Sequence, residues 1–415
     1  MKTRNLFLAT AAILVGGAIT AKAEISSVQD DMLQRFVKYA SIDSQSSYDS
    51  AITAGQLDMA QAIKAEADSL AAAYGYTGYS SQISDKGYVY LEFAPNTVTD
   101  CATVGISCHL DVTPEAQGGK ITPIVDRLDG QTIVRTDGTT LLGADDKCGC
   151  TIAMQLVKEI VSNPDYKHGK VLFAFCPNED VGRAADGIDA TVFNPDVLFD
   201  LDGTGGKTVT KANFTARGMK VGFKGHQAHP GNAKALGMGD ALAAAAEFIS
   251  GIPVRYRPEN TEGHEGYIHP WNLTVTGDSA VVDVRIRYFD KDEGELFDSW
   301  IKADLKLTAK KHPNVRINVL EDGIQYENVA YTLYPGQIDR VTDKANELGY
   351  EIELADERGG TTASMFAAKG LKGGMCIFTG QHNIHSTSEY AALNEMEKAF
   401  RLIREIVREY PATRS

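Results

Sequence analysis

Thr103-Val-Gly-Ile-Ser-Cys-His109-Leu-Asp111 is a short apolar run that ends in two polar groups, and its pattern decides the fold. Continuous apolar runs of this length are typical of strands buried on both faces. Similar runs stand at Val171 to Phe175, Val197 to Leu201 and Met375 to Thr379. Between the first two lies a helical pattern, with Ile152, Leu156 and Ile160 spaced by four and Ala153, Val157 and Val161 beside them. The alternation predicts an α/β fold with a mostly parallel central sheet and helices on both faces. Upstream, Val28 to Tyr74 reads as two helices broken by the polar stretch around Ser41 to Ser50. From about Arg217 to Gly323 the texture changes to alternating runs, Met219 to Phe223 and Leu273 to Tyr288, around a helix from Asp240 to Ile249. This is the pattern of a smaller inserted α+β domain, residues 217–323. The larger domain is then discontinuous, residues 24–216 and 324–415.

Met1-Lys-Thr-Arg4, the uncharged and largely apolar stretch Asn5 to Ala21, and Ala21-Lys-Ala23 read together as a cleavable signal peptide, residues 1–23. A secreted or periplasmic location is the corresponding expectation. No later segment is apolar and long enough to span a bilayer. The formal charge is -14 over 415 residues, and -17 once Lys2, Arg4 and Lys22 are removed. Such a balance argues against nucleic acid as a partner. Six cysteines lie in or beside apolar runs without C-x-x-C spacing, which favours small buried thiols.

In open α/β sheets, ligands gather beyond the carboxyl ends of the strands, and the polar clusters fall there. His109 and Asp111, two apart at a strand end, point the same way and suit either one cation or a structural hydrogen bond. Gly138-Thr-Thr-Leu-Leu-Gly-Ala-Asp145-Asp146-Lys147 puts two acids before the helix, where they could cap it or hold metal. Glu179 and Asp180 follow the second strand, and adjacent acids repel unless cations or protons intervene. One of such a pair can bind metal while the other accepts a proton from water. Asp200-Leu-Asp202 ends the next strand, and His382-Asn-Ile-His385-Ser-Thr-Ser-Glu389 follows the last. Imidazoles and carboxylates without thiolate suit zinc, with manganese or cobalt as substitutes.

His109-Leu-Asp111, Gly143-Ala-Asp-Asp-Lys147, Asn178-Glu-Asp180, Asp202-Gly203 and His385 resemble the ordered motif set of the co-catalytic two-zinc exopeptidases. Finer matches to the tripeptide aminopeptidase branch are Thr261-Glu-Gly-His-Glu-Gly-Tyr267, Ile286-Arg-Tyr-Phe-Asp290 and Arg358-Gly-Gly-Thr361. The resemblance implies that Asp145 bridges two zinc ions, that His109 and Asp202 hold one, and that Asp180 and His385 hold the other. It implies Glu179 as general base and Asp111 as the group orienting His109. Gly225-His-Gln-Ala-His229-Pro-Gly231 matches the family's histidine-proline-glycine motif and implies His229 as oxyanion stabiliser, while Arg358 resembles the arginine that receives the substrate carboxylate. The expected substrates are short peptides, tripeptides above all, and a homodimer is compatible with this branch. Asp180 and Thr362 depart from its usual residues. A dipeptidase, carboxypeptidase or deacylase using the same site, or an inactive peptide-binding protein, are the alternative readings.

Overall fold

A computed structural model describes residues 26–49 and 51–413. The four apolar runs form neighbouring parallel strands in the order Val171–Cys176, Val104–His109, Val197–Thr204, Gly374–His382. Chain direction along the sheet reverses at Val104–His109, so the crevice at its carboxyl end lies at a topological switch point. The outer strands are antiparallel: Val89–Phe93 and Tyr79–Ile83 on one side, Tyr390–Ala392, Gln131–Arg135 and Ile124–Leu128 on the other. Thr208–Asn213 and Glu353–Glu357 complete this sheet of eleven strands.

Strand alternation divides the apolar side chains between two faces. Val171, Phe173 and Phe175 enter the main core, where helices Ser27–Ala40, Ala54–Tyr74, Ala144–Ser162 and Leu393–Val407 pack. Leu172, Ala174 and Cys176 face the other way, toward Phe193, Val329 and Phe366 of the short helix Thr362–Ala368. Helices thus cover one face heavily, whereas the second face is closed by one short helix and loop segments. The ends of the first two helices have local causes. Ser26 and Thr53 cap the helix starts by accepting the N–H of Gln29 and Gln56, and Gly75 ends the second helix at φ +64°, a conformation that favours glycine.

A separate antiparallel sheet has the order Tyr267–Thr276, Ser279–Tyr288, Thr215–Lys224, Arg316–Tyr326. Val221, Phe223, Phe248, Val282, Ile286 and Phe297 form its own core with helices Ala241–Gly251 and Lys291–Lys311. The alternating run Leu273 to Tyr288 is two strands, because Gly277 at φ +60° turns the chain into a hairpin. Arg358 ties the two sheets together. Its guanidinium donates to the Gly263 and Glu265 carbonyls and to Thr261 Oγ1, and lies over the ring of Phe214.

All six cysteines are free, five of them buried, as their apolar surroundings predict. No described helix is long and apolar enough to cross a membrane.

Candidate metal centre

Five polar side chains converge beyond the carboxyl ends of the parallel strands. His109 ends the first strand, Asp180 follows the second, Asp202 lies in the third and His385 follows the fourth. Asp145 enters from the start of Ala144–Ser162, where Asp145 and Asp146 keep non-helical φ/ψ and share a cis peptide bond. The helix-cap and ligand readings of these acids divide between them. Asp146 accepts the Gly149 and His109 backbone N–H groups, so it holds the helix start against the strand. Asp145 turns the other way, between the two imidazoles.

His109 Nε2 lies 2.8 Å from Asp145 Oδ1 and 3.7 Å from Asp202 Oδ1. His385 Nε2 lies 3.0 Å from Asp180 Oδ1 and 3.3 Å from Asp145 Oδ2. Two groups with metal-ligand spacing result, His109–Asp145–Asp202 and Asp145–Asp180–His385, which share Asp145 through different oxygens. A third grouping, His109–Asp111–Asp180, is the weaker candidate. Both oxygens of Asp111 are occupied, Oδ1 by the Glu179 N–H at 2.9 Å and Oδ2 by the Asp180 N–H at 3.1 Å. Asp111 Oδ1 also stands 3.4 Å from His109 Nδ1, on the side of the ring away from the cluster.

The electrostatics call for cations. Burial, and then the charge of Asp145, push Asp202 up to about 7 and Asp180 up to about 6. Glu179 is raised by burial, reinforced by Asp202, Asp180 and Asp111 and opposed by His109. Hydrogen bonds donated to the Asp145 and Asp180 carboxylates raise His385 to about 11. Burial opposes ionisation of Asp145, but His109 and His385 outweigh it and hold the carboxyl low. Protons on these imidazoles therefore do the neutralising that metal ions would do. Asp180 Oδ2 is buried without a hydrogen-bond partner among the described residues, a further donor for a cation. The donor set fits two hard or borderline divalent ions.

Several supports were not read from the sequence. Glu115 accepts from His385 Nδ1 at 2.9 Å, yet it sits in an exposed loop with no motif around it. Gln381 donates to Asp202 Oδ1 and to its carbonyl. Asp200, the other half of its acid pair, accepts Ser107 Oγ at 2.6 Å and the Ala363 N–H, so it is structural. Glu389 grips the 142–145 turn through three N–H groups; only its position four residues after His385 hinted at a role.

The structure brings together His109, Asp111, Asp145, Glu179, Asp180, Asp202 and His385. His229 instead occupies an exposed loop, where Nδ1 accepts the Gly231 N–H. Arg358 is engaged with the 261–265 loop as described above. Thr362 is fully buried at the start of its helix.

A switch-point crevice in a doubly covered sheet, carrying two ligand triads joined through one carboxylate, defines a dinuclear metallopeptidase scaffold. The chain belongs to peptidase family M20/M25/M40, whose profile matches residues 105–409. It is 32% identical over 416 residues to the protein named peptidase T of Bacillus cereus (strain ZK / E33L), covering 92% of this chain and 99% of that protein. Its fold is similar to that of aminopeptidase PepT from Bacillus cereus ATCC 10987, at TM-score 0.72 and 19% identity over 92% of this chain and 98% of that one. A tripeptidase from Staphylococcus aureus subsp. aureus mu50 is equally similar, at TM-score 0.72 and 18% identity over 92% and 98%.

These relatives overturn one expectation. The relation to the peptidase T proteins over 92% of the chain does not support the secreted or periplasmic location read from residues 1–23, which is withdrawn. That reading rested on a local pattern, a basic start, an apolar run and Ala21-Lys-Ala23, and residues 1–23 lie outside the described residues.

Proposed function

We propose that this chain is a metal-dependent aminopeptidase that removes the N-terminal residue from tripeptides and similarly short peptides. The observation that carries this reading is the pair of ligand triads sharing Asp145, with Glu179 held beside them. The relation to peptidase T along nearly the whole chain supports it. His109, Asp145 and Asp202 would hold one cation and Asp145, Asp180 and His385 the other. Bound there, two divalent ions, zinc above all, supply an activated water and polarise the scissile carbonyl.

Glu179 accepts the proton of the attacking water and returns it to the leaving amine. Its backbone N–H is fixed by Asp111, which also faces the back of His109, so one carboxylate sets both the base and an imidazole. The smaller unit, residues 217–323, acts as a lid. Its closure over the substrate carries His229 toward the developing oxyanion, and Arg358 exchanges its contacts with the 261–265 loop for the substrate carboxylate. Recognition of both peptide ends by a closed site restricts substrate length.

The test is hydrolysis of a series of unblocked tripeptides by purified protein, with and without added zinc, each product followed by mass, beside Glu179→Ala. Metal-dependent release of the free N-terminal residue, lost in the variant, is the expected result. Cleavage only at the C-terminus, or only of acylated substrates, transfers the assignment to a sister activity.

A further inference from the structure

Glu389 carries no role in the chemistry above, yet its placement is unusually constrained. The residue is 2% exposed. Its Oε2 accepts the N–H of Leu142 at 3.0 Å and of Gly143 at 2.7 Å, and its Oε1 accepts the N–H of Asp145 at 3.0 Å. Three converging N–H groups make the turn a cradle for one side-chain carboxyl group. Gly143, at φ +74°, lets the turn adopt this shape.

The carboxylate belongs to the segment that carries His385. Between the two residues the chain is a tight turn, with Ser386 Oγ donating to the Asn383 carbonyl at 2.6 Å and Asn383 Nδ2 donating to the Ser388 carbonyl at 3.2 Å. One short stiff segment therefore presents an imidazole to Asp145 Oδ2 with its first half and holds the backbone of Asp145 with its second. The clamp ties the backbone of the shared carboxylate to the segment that carries the His385 imidazole. On the other side, Asp146 accepts the His109 N–H and ties the same turn to the strand that ends in His109.

We propose that Glu389 is a positioning residue that fixes the spacing of the two cation sites by locking the Asp145 backbone to the His385 segment. This rests on the dinuclear reading given above. Glutamine at this position keeps one acceptor oxygen and turns an NH2 group toward the remaining N–H donors, which breaks the clamp with almost no change in volume.

Metal-stripped wild-type protein, Glu389→Gln and Glu389→Asp are titrated with zinc by calorimetry, and the cobalt-loaded forms are compared by visible absorption. Wild type is expected to take up two cations. In Glu389→Gln one of the two cations dissociates at a concentration at least about tenfold higher and the cobalt bands shift, while the other changes less than about threefold. At saturating zinc, kcat for a tripeptide falls while KM holds within about threefold. Equal uptake of both cations and equal kcat in wild type and Glu389→Gln overturn the inference and leave the dinuclear reading intact. A wild type that takes up no second cation overturns both. Should the variants fail to fold, hydrogen exchange of metal-free wild type decides. Amides of Leu142, Gly143 and Asp145 exchanging as slowly as the Val104–His109 strand support the clamp, and exchange as fast as an exposed loop overturns it.

Discussion

Asp111→Asn is the sharpest single perturbation of this site, because it preserves shape and removes charge. The wild-type side chain is fully buried and accepts the backbone N–H groups of Glu179 and Asp180 on separate oxygens, with His109 Nδ1 3.4 Å from one of them. Asparagine retains one carbonyl oxygen, so one of the two N–H groups must face an NH2 donor. A buried donor left without an acceptor costs about 1–3 kcal/mol. For a chain of this size, at about 1 °C per kcal/mol, the melting temperature of the metal-free protein should fall by roughly 1–3 °C. Loss of the group behind a ligating histidine lowers metal affinity about 10–100-fold. The same substitution lets the Glu179–Asp180 backbone shift, and misplacing a catalytic group by about 1 Å lowers kcat on the order of 100-fold. Zinc titration by calorimetry, thermal melts and tripeptide kinetics at saturating zinc measure the three quantities separately. A variant with cation affinity and kcat both within about threefold of wild type refutes the claim that Asp111 aligns base and ligand together.

Glu179→Gln removes the proposed proton acceptor while leaving the five candidate ligands intact; kcat should drop by about 10²–10⁴ with zinc stoichiometry unchanged, read by calorimetry beside steady-state assays. Cation uptake by the metal-free protein should release protons, because His385, raised to about 11, is charged at neutral pH and must lose its proton to bind. Calorimetry in buffers of different ionisation enthalpy measures this, and affinity should rise with pH. Asp180, raised to about 6, and Asp202, raised to about 7, bind protons more tightly folded than unfolded. Their contribution is fully present below about pH 4 and is lost as pH rises through 6 and 7, so the metal-free melting temperature should decline across that window. Bound zinc should abolish the decline. Arg358→Ala should raise KM for tripeptides more than it lowers kcat, and should speed hydrogen exchange in the 261–265 loop that the guanidinium now holds.

The legible parts of this protein were those written locally. Four buried strands announce themselves as apolar runs because each is covered on both faces, and the polar groups ending them had to emerge at one edge of a parallel sheet. His109, Asp145, Asp180, Asp202 and His385 stand at or beside those strand ends, the resemblance singled them out, and in the structure they fall into two groups that share Asp145. The antiparallel margins were harder to see. Ile124–Leu128 is largely exposed, and Gln131–Arg135 only partly buried, so neither carries a continuous apolar signal. Residues 1–23 mark the opposite failure, a local pattern that was clear but did not determine location.

Sequence by itself determined which residue types were available for metal and proton chemistry and on which strand ends they stood, since strand period and apolar content are properties of short segments. Strand pattern left each acid pair undivided and the family resemblance supplied an expected split, but only the tertiary structure shows what the second member does: Asp145 lies between the imidazoles while Asp146 holds the helix start, and Asp202 faces His109 while Asp200 faces Ser107. It alone showed that Glu389, 244 positions from Asp145, grips that residue's backbone. Adjacent carboxylates are chemically equivalent along the chain, and they become different only when packing fixes which oxygen faces which donor.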